Sequence, residues 1–369
     1  MFFLSNLFRR KPQEPEPPRT RQDMEESFSV NELQTYTYET PQGILQNTFQ
    51  KKRPAQEEEK KLLKETFDLI ASVPQGKKLL DEVAAAGYDV YFETFHSKNF
   101  GCMYANQKKI MLSSCMLGSA AEMASSAVHE MTHALQQERT GYLGHKGAEL
   151  TLADQFKFTR AAEAAAWAEQ AKFSYQIREQ HPEVERLTGD FPMYRAFVEE
   201  MEKSGDMGKA GEAAFKSWYG FKHYQTSYEN DHVSNFTFSM EQGYANHKEI
   251  LTGTISSDEV LQQVFLSDDL RQQISPEFLT SKEAFSISEN AIERLDRSAM
   301  IYNGRKTDPT LRDMYSYTTG QTYASQERPK EAAAASARPP MMTALKNIAP
   351  TPKIEPSLAA KVKERAAQH

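Results

Sequence analysis

Between residues 57 and 86 the apolar positions Leu62, Leu63, Phe67 and Ile70, then Leu79, Leu80 and Val83, recur at the three- and four-residue steps of one helix face. Val73-Pro74-Gln75-Gly76 interrupts the run, so the pattern predicts two short helices. Gly87 ends the second, and Tyr88-Asp89-Val90-Tyr91-Phe92-Glu93-Thr94 has the β-branched and aromatic character of a strand. Residues 102–105 and 109–112 flank Asn106-Gln107-Lys108 and predict a hairpin, which makes the expected sheet small and mostly antiparallel. Ser119-Ala120-Ala121-Glu122 has the form of a capping box: the Ser hydroxyl takes the third helical amide while Glu122 reaches back. A helix is expected from there through His133.

Farther on, Gly141-Tyr142-Leu143-Gly144-His145-Lys146-Gly147 predicts a loop, and an Ala-rich helix is expected over about 149–179. Residues 190 to 300 read as mainly helical, around 193–201, 213–228 and 260–265, with no internal repeat. Before about Lys51 there is little sustained periodicity, and residues 12–22 are Pro-rich and charged. The expected organisation is a disordered tail over 1–50, a folded core over 51–185, a helical extension over 186–325 and a second disordered tail over 326–369.

Charge and cysteine content narrow the function classes. A formal net charge of -7 disfavours nonspecific nucleic-acid binding, which needs clustered Lys and Arg, and no nucleic-acid motif is present. The eight Lys or Arg from Arg328 onward, against three Glu, read as a solvated flexible segment. Two cysteines, Cys102 and Cys115, are too few for a disulfide framework; they fit a reducing compartment and read as buried strand residues. The apolar opening Met1-Phe2-Phe3-Leu4-Ser5-Asn6-Leu7-Phe8 is followed, not preceded, by Arg9, Arg10 and Lys11, the wrong order for a secretion signal. No run is long enough for a membrane span, so a cytoplasmic protein without an integral membrane segment is expected.

The chemistry concentrates at His129-Glu130-Met131-Thr132-His133. On a helix, 129 and 133 lie one turn apart on one face, so two imidazoles can converge on an ion while Glu130 projects beside them. Neutral imidazoles suit zinc, and the carboxylate can take a proton from a water that the ion acidifies. The pentad alone recurs by chance; the predicted cap ten residues upstream, apolar Val128, Met131 and Leu135 around it, and the preceding sheet make it specific. A catalytic zinc needs a third protein ligand. Gln136 and Arg139 stand where a metzincin has Gly and His, which leaves a carboxylate on a later helix as the common solution.

The stretch Ser125-Ser126-Ala127-Val128-His129-Glu130-Met131-Thr132-His133-Ala134-Leu135-Gln136, with Arg160-Ala161-Ala162-Glu163-Ala164-Ala165-Ala166 downstream, resembles a bacterial family of zincin-like metallopeptidase domains. The resemblance covers about residues 57–180. It implies an α+β zincin-like core with an active-site helix, zinc held by His129, His133 and Glu163, and Glu130 as general base. Glu163 stands thirty residues past His133 (133 to 163), a longer gap than in the thermolysin-like pattern. Independently, Leu152, Phe156, Glu163 and Trp167 share a helix face, where a carboxylate would be partly buried and would need a cation. An ion pair with Arg160 is the alternative for Glu163, and Glu169 is the alternative ligand.

His145, Tyr219, His223, Tyr224 and Tyr228 are weaker candidates for stabilising an oxyanion. The expectation is therefore a zinc metallopeptidase acting on a peptide or protein substrate, which a sheet edge near 109–112 could pair with. Its rivals are a non-catalytic zinc-binding or interaction module, and a helical scaffold without zinc.

Overall fold

In the computed structural model, residues 17–40, 43–95, 99–246, 251–303 and 309–326 are described. The apolar N-terminal octapeptide, the first Pro-rich residues through Glu16 and the basic C-terminal stretch lie outside them. Every element belongs to the first of two units, Met1–Ala324 and Ser325–His369, and residue 185 marks no boundary between units.

The chain starts with α1 (Arg21–Ser27), β1 (Ser29–Thr40) and β2 (Gly43–Pro54), followed by α2 (Glu57–Ser72) and α3 (Pro74–Ala85). Next come β3 (Asp89–Glu93), β4 (Gly101–Tyr104), β5 (Lys109–Ser113) and two long helices, α4 (Ala120–Thr140) and α5 (Leu152–Ile177). Both helices predicted over 57–86 form, as do the β4–β5 hairpin, turning through Lys108 at φ 49°, and the Ala-rich helix. The helical half comprises α6 (Val184–Thr188), α7 (Pro192–Ser204), α8 (Met207–Gly220), α9 (Lys222–Asn246), α10 (Ser257–Val264), α11 (Asp268–Arg271) and α12 (Glu289–Asn303); β6 (Ser286–Ile287) and β7 (Tyr315–Ser316) make a short parallel pair.

Two expectations are corrected by the main sheet. Its order is β2-β1-β3-β5-β4, and it is mixed: β1 with β3 and β3 with β5 run parallel, inside two antiparallel outer pairs. The fold is α+β, but the sheet is not mostly antiparallel. The expected tail over 1–50 also gives way, from Thr20 on, to α1 and a β1–β2 ribbon. Met24 and Val30 are fully buried and Phe28 nearly so, with the Phe28 ring 4.7 Å from that of Phe92. Burial at roughly 1.5–3 kcal/mol per large apolar side chain offsets the entropy of ordering this segment. Arg53 then ties the ribbon base to α2 through Glu32 and Glu59.

The sheet, α2, α3 and α4 enclose one apolar cluster, and α5 with α7, α8 and α10 encloses a second. Helix α4 lies between them, buried on nearly every face. It packs against the Ala-rich α5, and the Ser125 and Ser174 hydroxyls bond at 2.8 Å across the contact.

Candidate metal centre

Helix α4 starts at Ser119, whose side chain accepts from the Glu122 amide, and ends at Gly141, at φ 74° in the left-handed region that closes helices. The reciprocal half of the predicted capping box is absent. Glu122 instead accepts from the Gly118 amide and from Arg186 of α6, which ties the helix start to the helical half.

His129 and His133 lie one turn apart near the middle of α4, both nearly buried, and Glu163 reaches them from α5. The two Nε2 atoms are 3.1 Å apart; His129 Nε2 is 3.7 Å from Glu163 Oε2, and His133 Nε2 is 3.5 Å from Oε1. Among the described residues, these three form the group able to hold a metal ion, with one donor atom from each within 4.8 Å of the others. Ligands at 2.0–2.2 Å around a tetrahedral ion sit roughly 3.3–3.6 Å from one another, so the triangle has the size a zinc ion requires. Glu163 Oε2 is buried without a hydrogen-bond partner, a costly state that a cation relieves.

The protons on the ring are set by Gln136. Its Nε2 donates to the carbonyls of Ala162 (3.1 Å) and Val264 (2.8 Å), which fixes the amide and leaves Oε1 to accept from His133 Nδ1 at 2.8 Å. When neutral, His133 then carries its proton on Nδ1 and turns a lone pair on Nε2 toward the cluster. The His129 ring packs edge-on to Trp167 at 4.9 Å. In the metal-free protein, burial would lower the His133 pKa, but the Glu163 carboxylate outweighs it and pushes the imidazole up to about 9. For Glu163, burial opposes ionisation, while His133 and His129 together hold the carboxyl well below the usual range.

Glu130 points away from this triangle's α5 side, to β4. A Cβ on Gly101 would lie 2.7 Å from Glu130 Cγ and 2.9 Å from Oε1, so only glycine fits beneath the carboxylate. Burial pushes the Glu130 carboxyl above its ordinary range, partly offset by both histidines and by a main-chain hydrogen bond from Met103. Nearby Cys102 is a free thiol whose pKa burial pushes up to about 12. Cys115 is also free but exposed beyond the end of β5, not buried in a strand.

Glu169 is not part of the cluster. Its two oxygens accept from the Ser267 amide (3.0 Å) and hydroxyl (2.9 Å). Nor does Arg160 pair with Glu163; it is fully buried, donating to the carbonyls of Ala284 and Ser286 and to the Tyr317 hydroxyl. Tyr219 is buried in the second apolar cluster, and Tyr224 approaches Trp167 at 6.2 Å. His145 lies in the short 3-10 helix before α5, outside the metal group, and the side chains of His223 and Tyr228 lie outside those described. Gln136 and Gly101 are the neighbours that sequence reasoning missed; Gln136, one turn past His133 on the same helix, could have been found by its spacing.

Two imidazoles one turn apart and a carboxylate from a second helix, with a further buried carboxylate alongside, form a donor set that could hold a metal ion. The chain belongs to the family described as "Putative metallopeptidase family (DUF6782)", whose model matches residues 42–263, more than half of the 369. No curated protein matches the chain, and no solved structure does. Family membership implies a metal cofactor and a peptide or protein substrate. No helix among the described residues is long and apolar enough to cross a membrane.

Proposed function

We propose that the chain hydrolyses peptide bonds as a zincin-type enzyme, with His129, His133 and Glu163 holding zinc and Glu130 as general base. The observation that carries this is the convergence of three donor atoms, one from each ligand, within 4.8 Å, with a second carboxylate, Glu130, buried next to them on α4. When bound, zinc supplies Lewis acidity and brings the pKa of a water toward about 7.

The remaining chemistry belongs to the chain. Glu130, whose pKa burial raises, accepts the proton of the attacking water and returns it to the leaving amine. Gln136 holds the His133 tautomer that keeps a lone pair on Nε2. Strand β5 is paired on both sides, so the sheet edge expected near 109–112 shifts to β4. Its free edge, beside Glu130, can pair with an extended peptide through main-chain groups.

A non-catalytic zinc module would have no use for a carboxylate buried beside its ligands. The discriminating experiment is Glu130→Gln, assayed on a peptide library with zinc content measured in parallel. Zinc should be retained and cleavage should fall by a factor on the order of a hundred or more. Undiminished cleavage would remove Glu130 as the base.

A further inference from the structure

A cavity of about 100 Å³ opens beside Glu163, between the loop that begins at Tyr142 and helices α5 and α9. Its walls include the rings of Tyr142, Phe158 and Phe236. Along α5, Gln155, Thr159 and Glu163 line it at four-residue steps, a polar row about 12 Å long in an otherwise Ala-rich helix. The space is smaller than the roughly 150 Å³ that accommodates a benzene ring, so it suits an unbranched chain rather than an aromatic one.

Its polar lining offers acceptors. Gln155 is nearly fully buried, and its Nε2 is spent on the Leu150 carbonyl at 2.8 Å, which fixes the amide and leaves Oε1 buried without a partner. The Thr159 hydroxyl proton is likewise spent, on the Gln155 carbonyl at 2.6 Å, so its oxygen is left to accept. No Lys, Arg or His lines the cavity among the described residues, while Glu163 puts a carboxylate at one end; the neutral donors of the lining are the exposed Asn235 amide and the Tyr142 hydroxyl. The Tyr142 ring already takes a cation on one face, with Lys146 Nζ 5.2 Å from its centroid. Slenderness, aromatic walls, the acceptors Gln155 Oε1 and Thr159 Oγ1, and a described lining that holds a carboxylate but no basic group together call for an apolar stem with a cationic donor tip, and among unbranched amino acids that is lysine.

We infer that this cavity is a substrate side-chain pocket that selects lysine next to the cleaved bond, read at its inner end by Gln155 and Thr159. The inference rests on the peptidase reading, because Glu163 joins the pocket to the metal cluster. Gln155 and Thr159 are specificity residues and take no part in bond cleavage.

The test starts from the best-cleaved member of a random decapeptide library, remade with Lys or with Met, its near-isostere lacking a donor, at each position flanking the cut. Wild type should favour Lys over Met at one flanking position by about tenfold in kcat/KM. Gln155→Met and Thr159→Val should each lower that ratio at least about threefold, and Gln155→Glu should raise it. Taking the ratio within each variant cancels any general loss of activity. A wild-type ratio near one at every flanking position overturns the pocket assignment alone, as does a preference that neither Gln155→Met nor Thr159→Val alters. If zinc-loaded wild type cleaves no library member, the peptidase reading fails, and the pocket assignment with it.

Discussion

Replacing Gln136 with leucine separates the role of the metal ligands from that of the residue that aims one of them. The substitution keeps the size of the side chain but deletes three buried hydrogen bonds: His133 Nδ1–H to Oε1, and Nε2 to the carbonyls of Ala162 and Val264. Ala162 lies inside α5 and keeps its helical partner, whereas Val264 ends α10 and its carbonyl has no helical donor. Two buried groups are thus orphaned, His133 Nδ1–H and the Val264 oxygen, at about 1–3 kcal/mol each. Destabilisation of about 2–6 kcal/mol follows, reduced by whatever apolar contact the leucine gains. Freed of its acceptor, the His133 ring can rotate or change tautomer, and zinc affinity should fall about 10–100-fold. Gln136→Glu keeps the acceptor but not the donors, so it should lose stability while holding zinc within about threefold of wild type. Denaturant titration and zinc competition against a chelator read the two effects separately. Wild-type zinc affinity in the leucine variant would refute the tautomer argument.

Glu163→Ala should abolish tight zinc binding, whereas Glu169→Gln, at a carboxylate bonded to Ser267, should bind zinc like wild type; the reverse result would move the ligand to Glu169. In the zinc-free protein the His133 pKa is raised from 6.5 to about 9, so its stabilising contribution is full below about pH 6.5 and is lost as pH climbs through 9. Roughly 3 kcal/mol, shared with Glu163, should disappear between pH 6 and pH 9.5 in urea denaturation. Zinc-loaded protein, with His133 already neutral, should lack this drop, and a flat metal-free profile would contradict the pairing. Gly101→Ala forces a methyl against Glu130 and should lower kcat by about tenfold or more with zinc content unchanged; unaltered kcat would show that the Glu130 position against β4 does not matter.

What the sequence makes legible follows from the range of the interactions. Helices α2 and α3 and the β4–β5 hairpin rest on local periodicity and turn chemistry, so their residues announce them. His129 and His133 are equally local, since a four-residue step on a helix puts them together whatever surrounds it. The β1–β2 ribbon escapes because it lacks the signal being sought. Leu33 and Phe49 are about half exposed, at 48% and 44%, and a ribbon with little buried face shows little apolar alternation. Its Thr35-Tyr36-Thr37-Tyr38 run and Gly43 were the available cues.

The mixed sheet has a different cause. Parallel pairing of β1 with β3 joins segments about sixty residues apart, Ser29 opposite Tyr91, and nothing in either segment names the other. That pairing nevertheless has a functional consequence. Together with the β3–β5 and β4–β5 pairs it encloses β3 and β5 in the interior and leaves β4 at the edge, with Gly101 against Glu130. The feature that decides where a peptide can add to the sheet is therefore set by long-range strand order, while the residues that would cut it are set by one helical turn.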